Sequence, residues 1–340
     1  MKVTVVRPGD LGESEARLWA EFQKRSPIAA SPLLSLTFAQ AVDRVRRNAR
    51  VAVVEEQGKI KAFFPYELTP NNVARAIGWR VSGLQGLITS GAPLDARLLV
   101  KMAGLRGWRF DHADATEPAL ARYHYRGAKM QVPVIDLGSG WDSYINTRTN
   151  QFRRENRRRR RHLESDVGTI SLEWHVSRLD YLPLLIKWKS EQYDSARYLY
   201  SDPAARLIIE ELITTTNEDC HGGLSVLFAG DQPIAVHFGM MGPRFLCSIE
   251  TAYDPNFARA APGLTLWLAL AEQAAGHGIA WIDLGYGTPS RNGRPSYKLD
   301  LANYSYAVIG GAVWVSRAEA AVRAFYRRLL YDRQGHQRDQ

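Results

Sequence analysis

The sequence predicts an α/β (α+β) protein of two modules, each a mixed, mostly antiparallel sheet flanked by helices. Three observations carry this expectation. Short apolar or alternating runs, the period of strands, recur between longer stretches whose apolar residues return every three to four positions, the period of helices. The order of elements repeats, since each half runs strand, two helices, hairpin and helix–strand pair. The chain has 340 residues, the length of about two domains of roughly 100–200 residues each.

In chain order, "KVTVV" (2–6) reads as a strand and "ESEARLWAEFQKR" as a helix with Leu18, Trp19 and Phe22 on one face. A second helix is expected over Leu36 to Arg47. "RVAVVEEQGKIKAFFPYEL" (50–68) has two apolar runs about Gln57-Gly58, a hairpin signal. Strands near 80–88, 108–112 and 130–136 and a helix around 95–104 complete the first half. One long helix is expected from Trp141 to about Glu164, with Trp141, Tyr144, Ile145 and Phe152 on one stripe. In the second half, a strand at 169–176 precedes two helices, "LDYLPLLIKWKSEQYD" and "PAARLIIEELITTTN". Three antiparallel strands turn at Gly230-Asp231 and Gly242-Pro243. A helix opens after Pro262-Gly263 and closes near Gly276, strands follow at 279–284 and 306–316, and a basic amphipathic helix ends the chain.

Composition narrows the function classes. The chain is 45% hydrophobic and 23% charged, with nine Trp and fifteen Tyr to fill a core. No apolar run approaches the ~20 residues of a membrane-spanning helix, and the first residues lack the apolar stretch of a signal peptide. Cys220 and Cys247 make neither a disulfide framework nor a zinc-ligand pattern, so no metal is expected. These features point to the cytoplasm. The net charge of +9 favours anionic partners: nucleic acid, an acidic membrane surface or a phosphorylated molecule.

Much of that charge is local. "RRENRRRRR" places seven arginines between Arg153 and Arg161. On a helix, the pairs 153/157, 154/158 and 157/161 stack like charges one turn apart, each destabilising by a few tenths of a kcal/mol. Such a helix gains from an anion, and Arg157, Arg158 and Arg161 are the candidates to meet one. The alternative is a solvated face.

Several ordered stretches carry a resemblance: "SPLLSLTFAQA", "RRRRRHLES", "KWKSEQYD", "LSVLFAGDQPIAVHFG", "YDPNFARAAPG", "GIAWIDLGYG" and "SYKLDL". Together they resemble the CelD-like acetyltransferases of the GNAT superfamily, named for cellulose and polysaccharide biosynthesis. These are similar in turn to the Fem-type aminoacyltransferases, which pair two GNAT-like domains. The resemblance covers most of 30–310 and is strongest over 145–300. It implies an N-terminal GNAT-like domain over 1–140, an Arg-rich linking helix over 141–168 and a C-terminal acyltransferase domain over 169–340. The activity implied is transfer of an acyl group from acetyl- or longer acyl-CoA to an amine or hydroxyl. The acceptor would be a sugar, amino-sugar or lipid precursor of envelope or polysaccharide synthesis.

In GNAT folds a helix start holds the pyrophosphate of coenzyme A, where free N–H groups and the helix dipole favour an anion. The matching place here is Arg259, Gly263, Leu264 and Thr265. It departs from the usual R/Q-x-x-G-x-G/A by one residue and one glycine. An aminoacyl-tRNA, as in the Fem-type relatives, or an acyl-carrier protein therefore stays open as donor. His237 and Glu250 lie on adjacent predicted strands, and either is a candidate general base; the alternative for each is a merely hydrogen-bonded strand residue. The resemblance implies that Lys298 lies beside the acyl carbonyl or a donor phosphate, where it would stabilise an oxyanion, with Asp283 orienting it or capping the loop. Asp254 borders the implied acyl pocket or makes an Asx-turn. Lys189, Gln192 and Tyr193 line the acceptor side or a plain helix surface. The competing classes are an aminoacyl-tRNA-dependent transferase, tRNA being its partner, and a non-catalytic nucleic-acid-binding protein. The basic helix would also allow peripheral contact with the inner face of an anionic membrane.

Overall fold

The computed structural model describes residues 1–192, 200–286, 297–319 and 321. The first half contains β1 (Lys2–Val6), α1 (Glu13–Gln23), α2 (Leu36–Arg46), β2 (Ala49–Glu56), β3 (Lys59–Leu68), β4 (Val73–Arg75), β5 (Ile88–Thr89), α3 (Ala96–Met102), β6 (Gly107–Asp114) and β7 (His124–Asp136). The β2–β3 turn holds Gln57 at φ 51° and Gly58 at φ 72°, the left-handed pair a tight hairpin needs. The strand expected over 80–88 is reduced to β5 and a single bridge at Gln85. Gly78 and Arg80 both take positive φ there, which breaks the extended backbone.

The expected single helix from Trp141 is two, α4 (Trp141–Asn146) and α5 (Asn150–Asp166). Thr149 is extended and its side chain accepts from the Phe152 amide, so the second helix has its own N-cap. Next come β8 (Ile170–Val176), α6 (Leu182–Gln192), a helix over Pro203–Thr214, β9 (His221–Ala229), β10 (Gln232–Met241), β11 (Phe245–Tyr253), a helix over Pro262–Gly276, β12 (Trp281–Asp283), a helical turn over Lys298–Leu301 and β13 (Tyr304–Trp314). Of the basic helix expected at the end of the chain, Ala318, Glu319 and Ala321 are helical and the rest lies outside the described residues.

The strands form one sheet in the order β1-β2-β3-β4-β6-β13-β7-β12-β11-β10-β9-β8, with β5 beside β3. The two halves therefore share a sheet rather than each closing its own. The late strand β13 crosses back between β6 and β7, and β7 pairs antiparallel with β12.

Apolar faces explain the layering. One core lies between the halves, where Trp19, Phe38 and Phe63 meet Leu185, Trp188, Ile208 and Phe238. A second lies under the Pro262–Gly276 helix, with Tyr144, Leu163, Leu246, Trp267 and Leu270. Full burial of side chains this size is worth about 1.5–3 kcal/mol each. The halves are also joined by charge. Glu67, fully buried, accepts from Arg46, Arg75 and the Trp79 amide, and Arg46 reaches across to Asp202 at 3.0 Å.

Two irregularities in β11 shape the site. It pairs with β12 only over Phe245–Cys247, parallel to Trp281–Asp283. Beyond Cys247 the two strands part while β11 runs on to Tyr253 beside β10. The β10 register also slips, Phe238 facing Glu250 and Gly239 facing Ser248, so Ile249 is an extra residue. Bulges of this kind bend a strand and re-aim its side chains.

Candidate functional site

The opening between β11 and β12 gathers polar groups in the sheet centre. Lys298 Nζ donates to the Tyr286 carbonyl at 2.9 Å. A Cβ built on Gly285 would sit 3.6 Å from Nζ and 3.5 Å from the Ser248 carbonyl, so the ammonium occupies the gap itself. Burial lowers the Lys298 pKa to about 8; Lys189 lowers it too, while Asp283 and Glu250 oppose the shift.

Asp283 lies at the start of the loop. Its Oδ1 accepts from the Gly285 amide at 2.6 Å, and its charge supports that of Lys298. Its Oδ2 accepts from the Tyr306 hydroxyl at 2.7 Å and lies 4.0 Å from Cys247 Sγ. Burial raises the pKa of all three, Asp283, Tyr306 and Cys247.

On the face toward α6, Lys189 Nζ pairs with Glu250 Oε2 at 2.7 Å and donates to the Thr251 carbonyl at 3.1 Å. Gln192 donates to the Tyr253 carbonyl at 2.7 Å. These two α6 residues thus clamp the helix to β11 rather than forming a plain surface. Tyr193 lies outside the described residues. The Tyr200 hydroxyl is buried with no hydrogen-bond partner among the described residues, and burial and then the Glu250 charge raise its pKa.

His237 is not brought to this face. The register puts Phe238 opposite Glu250, which turns His237 to the other side, edge-on to Trp267 at 5.0 Å between centroids. It is fully buried, neither ring nitrogen has a partner among the described residues, and burial lowers its pKa to about 3. His237 and Glu250, each a candidate base, therefore lie on opposite faces of the sheet.

The expected donor loop is a helix start. Arg259 lies near the end of a 3-10 turn over Pro255–Ala260, Ala261 takes φ 50°, and Pro262, Gly263, Leu264 and Thr265 form the first turn. No side chain caps it, and the proline brings no N–H. Asp254 makes the Asx-turn, accepting from the Asn256 amide at 2.9 Å.

On α5 the acidic residues are used: Arg159 meets Glu155 at 3.4 Å and Arg160 meets Glu164 at 2.9 Å. Both pairs span one helical turn, so they relieve part of the repulsion expected along the arginine run. Arg157, Arg158 and Arg161 are exposed and form no ion pair among the described residues.

Tyr200, Cys247, Tyr286 and Tyr306 were missed by sequence reasoning. Tyr286 also ties the halves, donating to the Gly83 carbonyl and stacking on His112. Only their place beside the sheet opening marks them, and that depends on long-range pairing. Among the described residues no group of three or more His, Cys, Asp or Glu could hold a metal ion. Nor is any helix among them long and apolar enough to cross a membrane.

Residues 150–298 match the family model for an acetyltransferase (GNAT) domain. No curated protein matches the chain. Among solved structures the chain is similar to FemX, with a TM-score of 0.62 at 11% identity over 95% of this chain and 99% of that one. It is also similar to a tandem GNAT protein from the clavulanic acid biosynthesis pathway, with a TM-score of 0.52 at 11% identity, covering 93% and 98%. A third likeness is to the C-terminal domain of an Agrobacterium fabrum protein described as a putative lysylphosphatidylglycerol synthetase, TM-score 0.52 at 12% identity, covering 94% and 97%. These identities speak to fold. Residues 150–298 therefore make up a GNAT-type acyltransferase domain, set in a mostly antiparallel sheet with flanking helices.

Proposed function

We propose that the protein moves an acyl group from an acyl-CoA to an amine or hydroxyl of a sugar, amino-sugar or lipid precursor. The observation that carries this reading is the Lys298 ammonium set in the gap where β11 and β12 part, beside the Lys189–Glu250 pair. GNAT domains in general use acyl-CoA, and two features here fit that donor. At the uncapped start of the Pro262–Gly276 helix, the Leu264 and Thr265 amides donate to the Ala261 carbonyl, which leaves the Gly263 amide and the helix dipole for a phosphate. The parted strands offer a slot with unpaired edges for the thioester arm.

In this reading Glu250 accepts the proton of the attacking amine or hydroxyl as its bond to the acyl carbon forms. Lys298 stabilises the negative charge that develops on the carbonyl oxygen. The carbon–sulfur bond then breaks, and Tyr200, kept protonated by burial and by the Glu250 charge, supplies a proton to the departing thiolate. Asp283, held by Tyr306 and Gly285, positions Lys298. Residues 169–340 supply the donor side, residues 1–140 close the acceptor side through Gly83 and His112, and 141–168 link them.

Aminoacyl-tRNA is the second donor reading. It is favoured by the missing glycine in Arg259–Thr265 and by the likeness to FemX. Native mass spectrometry of the purified protein, followed by acyl transfer assayed with acetyl-CoA, longer acyl-CoAs and charged tRNA, tests both. Transfer from acyl-CoA to an amine or alcohol is expected. Transfer from charged tRNA alone would overturn the first reading, and neither would overturn both.

A further inference from the structure

A cavity of about 370 Å³ lies between α4, α5 and the Pro262–Gly276 helix, on a different face of that helix from the one packed on the sheet. Thr265, Leu268, Ala269 and Glu272 form its stripe at i, i+3, i+4 and i+7, whereas Leu266, Trp267 and Leu270 point to the core. The volume is within the usual range for a small-molecule pocket, about 300–1,000 Å³.

Its walls are of two kinds. Trp141, Ile145, Phe152, Leu268 and Ala269 make one side apolar. Arg153, Arg157 and Arg160 rise along the other, against the carboxylate of Glu272. Arg153 is held by the oxygens of Asn146 and Asn150, at 2.9 Å and 2.6 Å, and its Nε is buried without a partner among the described residues. Arg160 pairs with Glu164 at 2.9 Å, and Arg157 has no ion pair among the described residues. The arginine wall thus carries more positive charge than its own carboxylates offset.

Asn156 is part of the lining. It is nine-tenths buried, and its Nδ2 donates to the Phe152 carbonyl at 2.8 Å. Its Oδ1 is closed off from the cavity, so the apolar wall and the arginines select the occupant.

We propose that this cavity binds a single-chain lipid phosphate. The chain lies on the apolar wall, and the phosphate meets Arg157 and its neighbours. Calorimetry on the full-length protein tests this with 1-myristoyl lysophosphatidate below its micelle concentration. Myristate lacks the phosphate, glycerol 3-phosphate lacks the chain, and each is expected to bind at least tenfold more weakly. Ala269→Phe, which fills the cavity, and Arg157→Gln, an exposed change that leaves the core intact, should each weaken lysophosphatidate at least tenfold with melting temperature held. Overturning results are equal affinity for the two variants and the unaltered protein, no lysophosphatidate binding, or binding only to anionic vesicles, which would make α5 a membrane-surface contact. The readout needs no turnover, so it stands or falls separately from acyl transfer.

Discussion

Lys189 Nζ lies 2.7 Å from Glu250 Oε2, so the ammonium that anchors α6 to β11 also faces the carboxylate assigned as base. Glu250→Gln keeps the size and a hydrogen-bonding group but cannot take a proton. Acyl transfer should fall by about 10²–10⁴-fold, the usual contribution of a general base, with the melting temperature little changed. A steady-state assay beside a thermal melt checks this. Activity within a fewfold of the unaltered enzyme would place the base elsewhere.

Lys298 gives the reaction a pH signature. Burial lowers its pKa from 10.5 to about 8. Between these values the unfolded chain holds the proton and the folded chain does not, so stability should rise with pH across that window. Below pH 8 the buried charge is a standing penalty. Lys298→Met should therefore flatten the rise and be no less stable at pH 7, as read by denaturant titration. If the charged form stabilises the oxyanion, transfer by the unaltered enzyme should decline above about pH 8, and the Met variant should be slow without that limb. A rate that climbs through pH 8 would instead make Lys298 a base.

Local chemistry explains which parts were legible. The Gln57-Gly58 hairpin, the β9–β11 meander and the helix after Pro262 are each written in adjacent residues, and each forms. The bulge at Ile249 is not, because it is defined only by the partner strand, and it decides that Glu250 and not His237 faces α6. The place of β13 between β6 and β7 is a long-range pairing that no local pattern encodes. Lys298 was legible as a candidate, but its partners Tyr286 and Asp283 matter through a strand separation visible only in three dimensions.

Glu67 should be the most sensitive charged position in the fold. It is fully buried, with Arg46 and Arg75 on its carboxylate at 3.1 Å and 2.7 Å, and Arg46 carries the network on to Asp202. Glu67→Ala removes the carboxylate between two guanidinium groups and leaves Arg46 with Asp202 alone; breaking comparable buried pairs costs about 3–5 kcal/mol. Chemical denaturation should show a loss of that order. A loss under about 1 kcal/mol would mean that water replaces the carboxylate.

Gly263 tests the donor end. Its φ is not left-handed, and a Cβ there would meet only Tyr253 Cδ1, at an ordinary 3.5 Å. Gly263→Val should therefore fold normally. Its side chain would crowd a phosphate at the amide of position 263, and acyl-CoA affinity should drop more than tenfold, about 1.4 kcal/mol. Calorimetry showing unchanged affinity would move the phosphate site away from this helix start.

The arginine helix separates a structural role from a binding one. Arg157, Arg158 and Arg161 are exposed and form no ion pair among the described residues, and 157/161 are like charges one turn apart. Replacing all three with Gln holds helix propensity roughly level and removes that repulsion. The melting temperature should hold or rise slightly, since the Arg159–Glu155 and Arg160–Glu164 pairs remain. Affinity for a phosphorylated ligand should fall, and its dependence on salt should flatten, because fewer charges are left to be screened. A much lower melting temperature would show instead that the three side chains support the fold. Unchanged affinity and unchanged salt dependence would show that the exposed arginines meet no phosphate.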